Sequence, residues 1–191
     1  MALGTDYAHQ DCSLARALEV VGERWSLLIV RDAFYGVRRF GDFLAHLDIP
    51  RAVLTARLAA LTDAGVLRKE AYQQSPPRYD YVLTDAGLEL WPAVHGLGYW
   101  GSRHATVDGP SRTFHHAACG TRLGAGGGCP ACGAHLVPPA DVEMRPHPRP
   151  GGALRDDPVS VTLAVPRRLL RPVRATSGSG AFAGADDPGN S

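Results

Sequence analysis

His116-Ala-Ala-Cys119-Gly and Cys129-Pro-Ala-Cys132-Gly set four nitrogen or sulfur donors in two pairs, each with two residues between its ligands. Zinc takes four such donors in a tetrahedron, and at this spacing one tight turn supplies two of them. The glycine that closes each pair, Gly120 after Cys119 and Gly133 after Cys132, lets the backbone turn until amide N–H groups face the sulfurs. A Cys3His set is closed. It leaves no position for a catalytic water, so the zinc it would hold is structural. Metal binding would also contribute folding free energy to a segment whose linker, Gly120–Gly128, is glycine-rich. His115 and His135 are alternative nitrogen ligands, and spacing favours His116. A thiol redox pair at Cys129 and Cys132 is the competing reading, against which the matching upstream knuckle weighs. Three of the four cysteines cluster here, and in a cytosolic chain that favours metal over disulfides.

A second group of residues offers contacts rather than coordination. From Pro50 to Ala64 the sequence predicts a helix with Leu54, Leu58 and Leu61 on one buried stripe. Ala52, Thr55, Ala56 and Ala59 then face away. Their small size would let the helix sit deep in a DNA major groove, where Thr55 could donate, accept, or set its methyl against thymine. Arg51 and Arg57 flank the stripe, and for Arg57 a salt bridge to a nearby carboxylate is an equal alternative to DNA. Arg38 and Arg39 read as backbone clamps. Arg78, beside the Pro76-Pro77 tip, is the candidate at a wing. Because Ala56 offers no polar atom, specificity is expected to lean on groove shape and the wing.

Several elements must position these groups. A first helix is expected from Asp11–Ser13, with Leu14, Leu18 and Val21 inward, and a second over about Glu23 to Phe34. A third carries Phe40, Phe43, Leu44 and Leu47. Asp48-Ile49-Pro50 turns it into the Pro50–Ala64 helix, making a helix-turn-helix. Gly65 ends that helix. Val66-Leu67 opens a strand, Gln73–Arg78 is a polar loop, and Tyr79, Tyr81 and Leu83 alternate on a return strand. Helix followed by β-ribbon is how a winged helix meets DNA. The next helix starts at Thr84-Asp85 and carries Leu88, Leu90, Trp91, Val94, Leu97 and Trp100, with a bend expected at Pro92. Its apolar residues cover more than one face, which points to a homodimer contact made by Leu14, Leu18, Trp91, Leu97 and Trp100; the other reading is that this helix folds back on the first.

The expected class is mainly α with a small β wing: a winged helix-turn-helix plus a small zinc-ribbon-like module. Residues 1–10 read as an N-terminal arm and 11–105 as the DNA-binding and dimerisation domain. Residues 106–144 read as the zinc module and 145–191 as a mostly disordered tail. Within that tail Ser160–Val165 has the pattern of a short strand.

From Cys12 to about Trp100 the chain resembles the HxlR-type family of bacterial winged-helix transcriptional regulators. The blocks that carry the resemblance are CSLARALE from Cys12, GERWSLLIVRD from Gly22, RFGDF from Arg39, VLTARLAAL from Val53, PPRYDYVLT from Pro76, and Gly96–Gly101 with Tyr99-Trp100. Where the family often has proline after the first cysteine, this chain has Ser13. The resemblance implies a DNA-binding homodimer held by the first and last helices of the domain. It also implies that Cys12 can serve as an oxidant or electrophile sensor. The other reading of Cys12 is a small, partly buried residue at the subunit seam.

Composition sets bounds. With 191 residues and 45% hydrophobic content the chain supports one sound core and something smaller. No apolar run approaches the ~18 residues of a membrane helix. The N-terminus lacks a secretory pattern, so a cytoplasmic location and no membrane partner are expected. The net charge is only +1, so attraction to a double-stranded operator must come from local arginine placement. That near-neutrality motivates a second hypothesis, a protein-docking adaptor that uses the zinc ribbon as its interaction surface. No enzyme is expected: no nucleophile–base pair or phosphate loop is visible, and His46, His95 and His104 read as helix-surface or interface residues. No inducer is identified.

Overall fold

The computed structural model describes residues 7, 9–147 and 155–173. Four helices build the first half: α1 (Ser13–Val21), α2 (Ser26–Phe34), α3 (Phe40–Leu47) and α4 (Arg51–Asp63). The chain leaves α3 through Asp48, whose φ of 52° is left-handed, and Pro50 stands just before the first residue of α4. These two residues set the turn between the paired helices. Leu54, Leu58 and Leu61 are fully buried, and they pin α4 to Phe34, Phe43 and Leu47. Burial of each such side chain contributes roughly 1.5–3 kcal/mol.

The expected first stripe is corrected. Leu14 and Leu18 are 65% and 38% exposed, while Ala15 and Val21 are the buried residues of α1. Cys12, not Asp11 or Ser13, occupies the position that precedes the helix.

Gly65, at φ 72°, ends α4 and turns the chain into β1 (Leu67–Gln73), which pairs antiparallel with β2 (Arg78–Leu83). Leu67 faces Leu83 at the buried base of this hairpin, and a bulge between Ala71 and Gln73 lies near its exposed tip. Thr84 then caps α5 (Asp85–Leu88) by accepting from the Gly87 amide at 3.1 Å. The single bent helix expected here is two helices. The chain breaks at Glu89–Leu90, and Pro92 sits in the first turn of α6 (Trp91–His104), where its missing N–H costs no intrahelical bond.

The second half packs against the first. Strands β3 (Arg112–His116), β4 (Val142–Pro146) and β5 (Arg167–Arg168) form an antiparallel sheet. Its inner face continues the core of the helices. The Phe114 ring meets the Trp91 ring edge-on at 5.2 Å, and Trp91 in turn meets Phe34 at 5.3 Å. Trp91 is therefore 1% exposed, at the centre of the molecule, and its assignment to a subunit interface is corrected.

The tail expectation is also corrected where the chain is described. Ser160–Val165 is not a strand: α7 (Pro158–Thr162) spans its beginning, capped by the Asp157 carboxylate, which accepts from the Val159 and Ser160 amides. Val159, Leu163, Leu169 and Val173 are buried. Four apolar residues dispersed among Pro, Arg and Ser give no periodic signal, yet each finds a place in a core supplied by other elements. The remaining tail residues, 148–154 and 174–191, and the arm residues 1–6 and 8 lie outside the described residues.

Gly36 fixes where the tail returns. Its φ is 92°, and a Cβ there would lie 1.8 Å from the Arg171 carbonyl oxygen. Its own carbonyl accepts from the Val173 amide at 2.8 Å. Gly36→Ala is expected to destabilise the fold by about 1–3 kcal/mol and to release the segment that carries β5. A trypsin time course at Arg167 and Arg168 beside a thermal melt reads both effects. An unchanged melt with unchanged cleavage would contradict this account.

Candidate nucleic-acid interface and metal centre

Arg51, Ala52, Thr55 and Ala56 are all exposed along one face of α4, opposite the leucine stripe. Thr55 Oγ1 donates to the Arg51 carbonyl at 3.0 Å, which leaves its methyl and its lone pairs outward. The Arg51 guanidinium lies 5.3 Å from the centre of the Phe40 ring. No carboxylate pairs with it among the described residues. Arg78 is exposed where β2 leaves the hairpin tip.

Three other arginines are engaged within the protein. Arg57 is half-buried and meets Glu23 at 3.7 Å, so the ion-pair reading is the one the geometry carries. Arg38 is half-buried and donates to the Leu170 carbonyl at 3.4 Å, which turns it toward the returning tail and away from the α4 face. Arg39 is exposed, 3.6 Å from Asp80 and 4.4 Å above the Tyr72 ring. It ties the start of α3 to the hairpin and keeps the two in register. Tyr72 and Asp80 are site residues that sequence reasoning missed, because each gains its role only from a partner on another element. Asp42 stands beside them with its carboxyl raised above the usual range, chiefly by burial and further by Asp80, while Arg39 opposes the shift.

A buried network supports the paired helices from below. Asp32 is fully buried. One of its oxygens accepts from the Arg31 guanidinium at 2.7 Å, and the other lies 2.6 Å from His46 Nδ1 on α3. His46 is thus an internal strut, not a helix-surface residue. His95 is internal too: its Nε2 donates to the Gly124 carbonyl at 2.9 Å, and its ring packs on Trp91 and Phe114.

Burial holds the His95 imidazole below its ordinary pKa, aided by Arg122 and opposed by the Gly124 carbonyl. The unfolded chain therefore takes up this proton first, and His95 costs stability as the pH falls below about 6.5. Above that value its contribution is constant. Acid also competes for the cysteine and histidine donors, so the informative quantity is a difference between proteins. Between about pH 7.5 and about pH 5.5, His95→Gln should lose less melting temperature than the wild type. Equal losses would contradict the assignment.

His116, Cys119, Cys129 and Cys132 come together, with their donor atoms all within 4.8 Å of one another. Cys119 Sγ lies 3.5 Å from His116 Nδ1, 3.6 Å from Cys129 Sγ and 3.4 Å from Cys132 Sγ. These separations are too long for a disulfide. They match the edges of a tetrahedron whose centre is ~2.3 Å from each sulfur, which is about 3.8 Å per edge. Gly120 and Gly133 follow their cysteines at φ 72° and 69°, the left-handed turn of each knuckle. Hydrogen bonds from the Thr121 hydroxyl and amide, with the neighbouring thiols, bring the Cys119 thiol down to about 6. Cys132 is pushed up to about 12, first by its hydrogen bond to Cys119 and then by Cys129. Three sulfurs and one imidazole nitrogen converging in this way are a donor set suited to a cation. His115 is committed elsewhere: its Nδ1 donates to the Gly120 carbonyl at 2.9 Å. The exposed His135 is not among the converging donors.

Helix-turn-helix, hairpin and closing helix in this order define a winged helix-turn-helix protein. Residues 20–108 match the model of the HxlR-like helix-turn-helix family. The chain is 40% identical over 140 residues to an uncharacterised HTH-type transcriptional regulator of Mycobacterium tuberculosis, covering 73% of this chain and 87% of that one. It is 31% identical over 106 residues to the HTH-type regulator YdeP of Bacillus subtilis, covering 53% and 83%. Among solved structures, the redox regulator HypR in its oxidized form is 31% identical, with 50% of this chain and 100% of that one covered at a TM-score of 0.46. The chain belongs to the HxlR-like family of DNA-binding transcriptional regulators. No helix among the described residues is long and apolar enough to cross a membrane.

Proposed function

We propose that two copies of this chain pair through α1 and α6 and lay α4 and the β1–β2 hairpin on a double-stranded operator. The observation that carries the reading is the exposed, small-residue face of α4 with Arg51 at its start and Arg78 on the neighbouring hairpin. Small side chains permit a close approach to base edges, and the two arginines supply phosphate contacts that the net charge does not. Leu97 and Trp100 are 56% and 59% exposed on α6, and Leu14 is exposed on α1. Large apolar side chains in that number support a subunit seam on these helices. Leu14, Leu18, Leu97 and Trp100 are its members; Trp91 is not.

His116, Cys119, Cys129 and Cys132 would hold one zinc ion, whose chemistry is to cross-link β3 to the Cys129–Cys132 turn. The protein works by occupying DNA in the cytoplasm and not by catalysis. Cys12 is exposed at the start of α1, on the helix assigned to the seam. Oxidation there would join two copies, each thiol giving one electron and one proton to an oxidant such as a peroxide. Fluorescence anisotropy with DNA from upstream of its own gene tests operator binding. Saturable binding of the dimer that weakens with salt is expected, and its absence at low salt would overturn the reading.

A further inference from the structure

A cleft of about 470 Å³ opens between α2, α6 and β3, where the metal-bearing half meets the DNA-reading half. Its size falls within the ~300–1,000 Å³ of small-molecule sites. Tyr35, Tyr99 and Phe114 line it, and so do Arg31, Arg112 and Arg122; no aspartate or glutamate does. Arg31 already holds Asp32. Arg112 and Arg122 form no ion pair among the described residues. Arg112 Nε is buried and makes no hydrogen bond among them either. The Tyr35 ring lies between two of these cations, with Arg31 and Arg112 at 5.6 and 5.3 Å from its centre.

A guanidinium without a carboxylate partner at a cleft wall is matched by a planar carboxylate, which accepts paired, charge-assisted bonds from it. Aromatic walls favour a flat apolar body behind that group. We propose that this cleft binds a small aromatic carboxylate, with its acid group on Arg112 and Arg122 and its ring among Tyr35, Tyr99 and Phe114.

The cleft has a physical route to the DNA face. Arg31 touches the cleft on one side and Asp32 on the other, and Asp32 also holds His46 on α3. A bound carboxylate competes with Asp32 for Arg31, and the position of α3 depends on the same aspartate. This coupling rests on the operator-binding reading; occupation of the cleft does not.

Calorimetry on the full, zinc-loaded chain with 2-naphthoate and benzoate, against their neutral amides, tests the site directly. Saturable binding of 2-naphthoate is expected, with the amide at least about tenfold weaker. The Arg112→Gln/Arg122→Gln protein should lose at least about tenfold in affinity while its zinc content is kept. Because Arg122 is exposed, Arg122→Gln alone serves as the second variant should the double one not fold. No saturable binding, equal binding of the amide, or affinity unchanged in these variants overturns the site. Operator affinity that is unchanged at saturating 2-naphthoate overturns the coupling alone. A protein that binds no operator at all counts against the DNA reading and leaves the calorimetric result standing.

Discussion

Cys129→Ser is expected to remove the metal and the order of the β3–β4–β5 sheet together. Cys129 is 1% exposed and belongs to the same core cluster as Leu123, Val137, Val142 and Met144. It is the one buried ligand of the four. A serine oxygen is a poor substitute for thiolate at zinc, and the site needs all four donors to close its tetrahedron. Structural zinc contributes on the order of 10 kcal/mol to small metal-folded peptides. Here the sheet is also held by Phe114 against Trp91 and by the returning tail, so a loss of about 5 kcal/mol is the scale expected. At about 2–4 °C per kcal/mol for a chain of this size, the melting temperature should fall by roughly 10–20 °C. Metal analysis of the wild type should give about one zinc per chain, and of the variant close to none. Chelation of the wild type should reproduce the variant's melt. A variant that keeps its zinc, or loses it without a change in melting, would contradict a structural metal.

The second large effect separates arginines that face outward from those that do not. Arg51→Ala removes one contact from each half of a paired molecule. At about 1–3 kcal/mol per contact, operator affinity should fall by roughly thirtyfold to twenty-thousandfold. The salt dependence should become shallower by about two ion equivalents if both contacts are to phosphate. Arg78→Ala should act in the same direction. Arg38→Ala and Arg57→Ala should do much less to affinity, because Arg38 is bound to the Leu170 carbonyl and Arg57 to Glu23. Anisotropy titrations at several salt concentrations, with melts as a folding control, measure all four. Equal losses for the four variants would mean that the exposed face of α4 is not the contact surface.

The parts of the molecule legible in the sequence are those whose signal is local. The leucine stripe of α4, the Asp48–Pro50 turn, Gly65 and the alternating return strand are all set by residues a few positions apart, and each lies where the pattern puts it. The convergence of His116, Cys119, Cys129 and Cys132 was legible for the same reason: paired spacings and a following glycine are properties of single turns. What was hidden depends on distant partners. Trp91 reads as one more apolar residue on a crowded helix, and only Phe34 and Phe114 make it central. Asp32 and His46 lie fourteen positions apart on different helices, with no spacing rule to join them. The segment from Arg155 to Val173 carries too little apolar content to form a core alone, so its composition resembles that of a disordered tail. Gly36, Phe34 and Met144 offer it a ready-made surface. The cleft of Tyr35 and Arg112 is likewise invisible in sequence, because it exists only between α6 and a sheet that arrives later in the chain.

The most direct test is hydroxyl-radical footprinting of the zinc-loaded protein on DNA from upstream of its own gene, with the oligomeric state measured in the same buffer. Two protected segments centred about one helical turn (~10 base pairs) apart, or a multiple of it, are predicted for a pair of winged helices. Both should disappear with Arg51→Ala. No protection by a folded dimer at low salt, or protection that survives Arg51→Ala, would contradict the assignment of α4 and its hairpin as the DNA-reading surface.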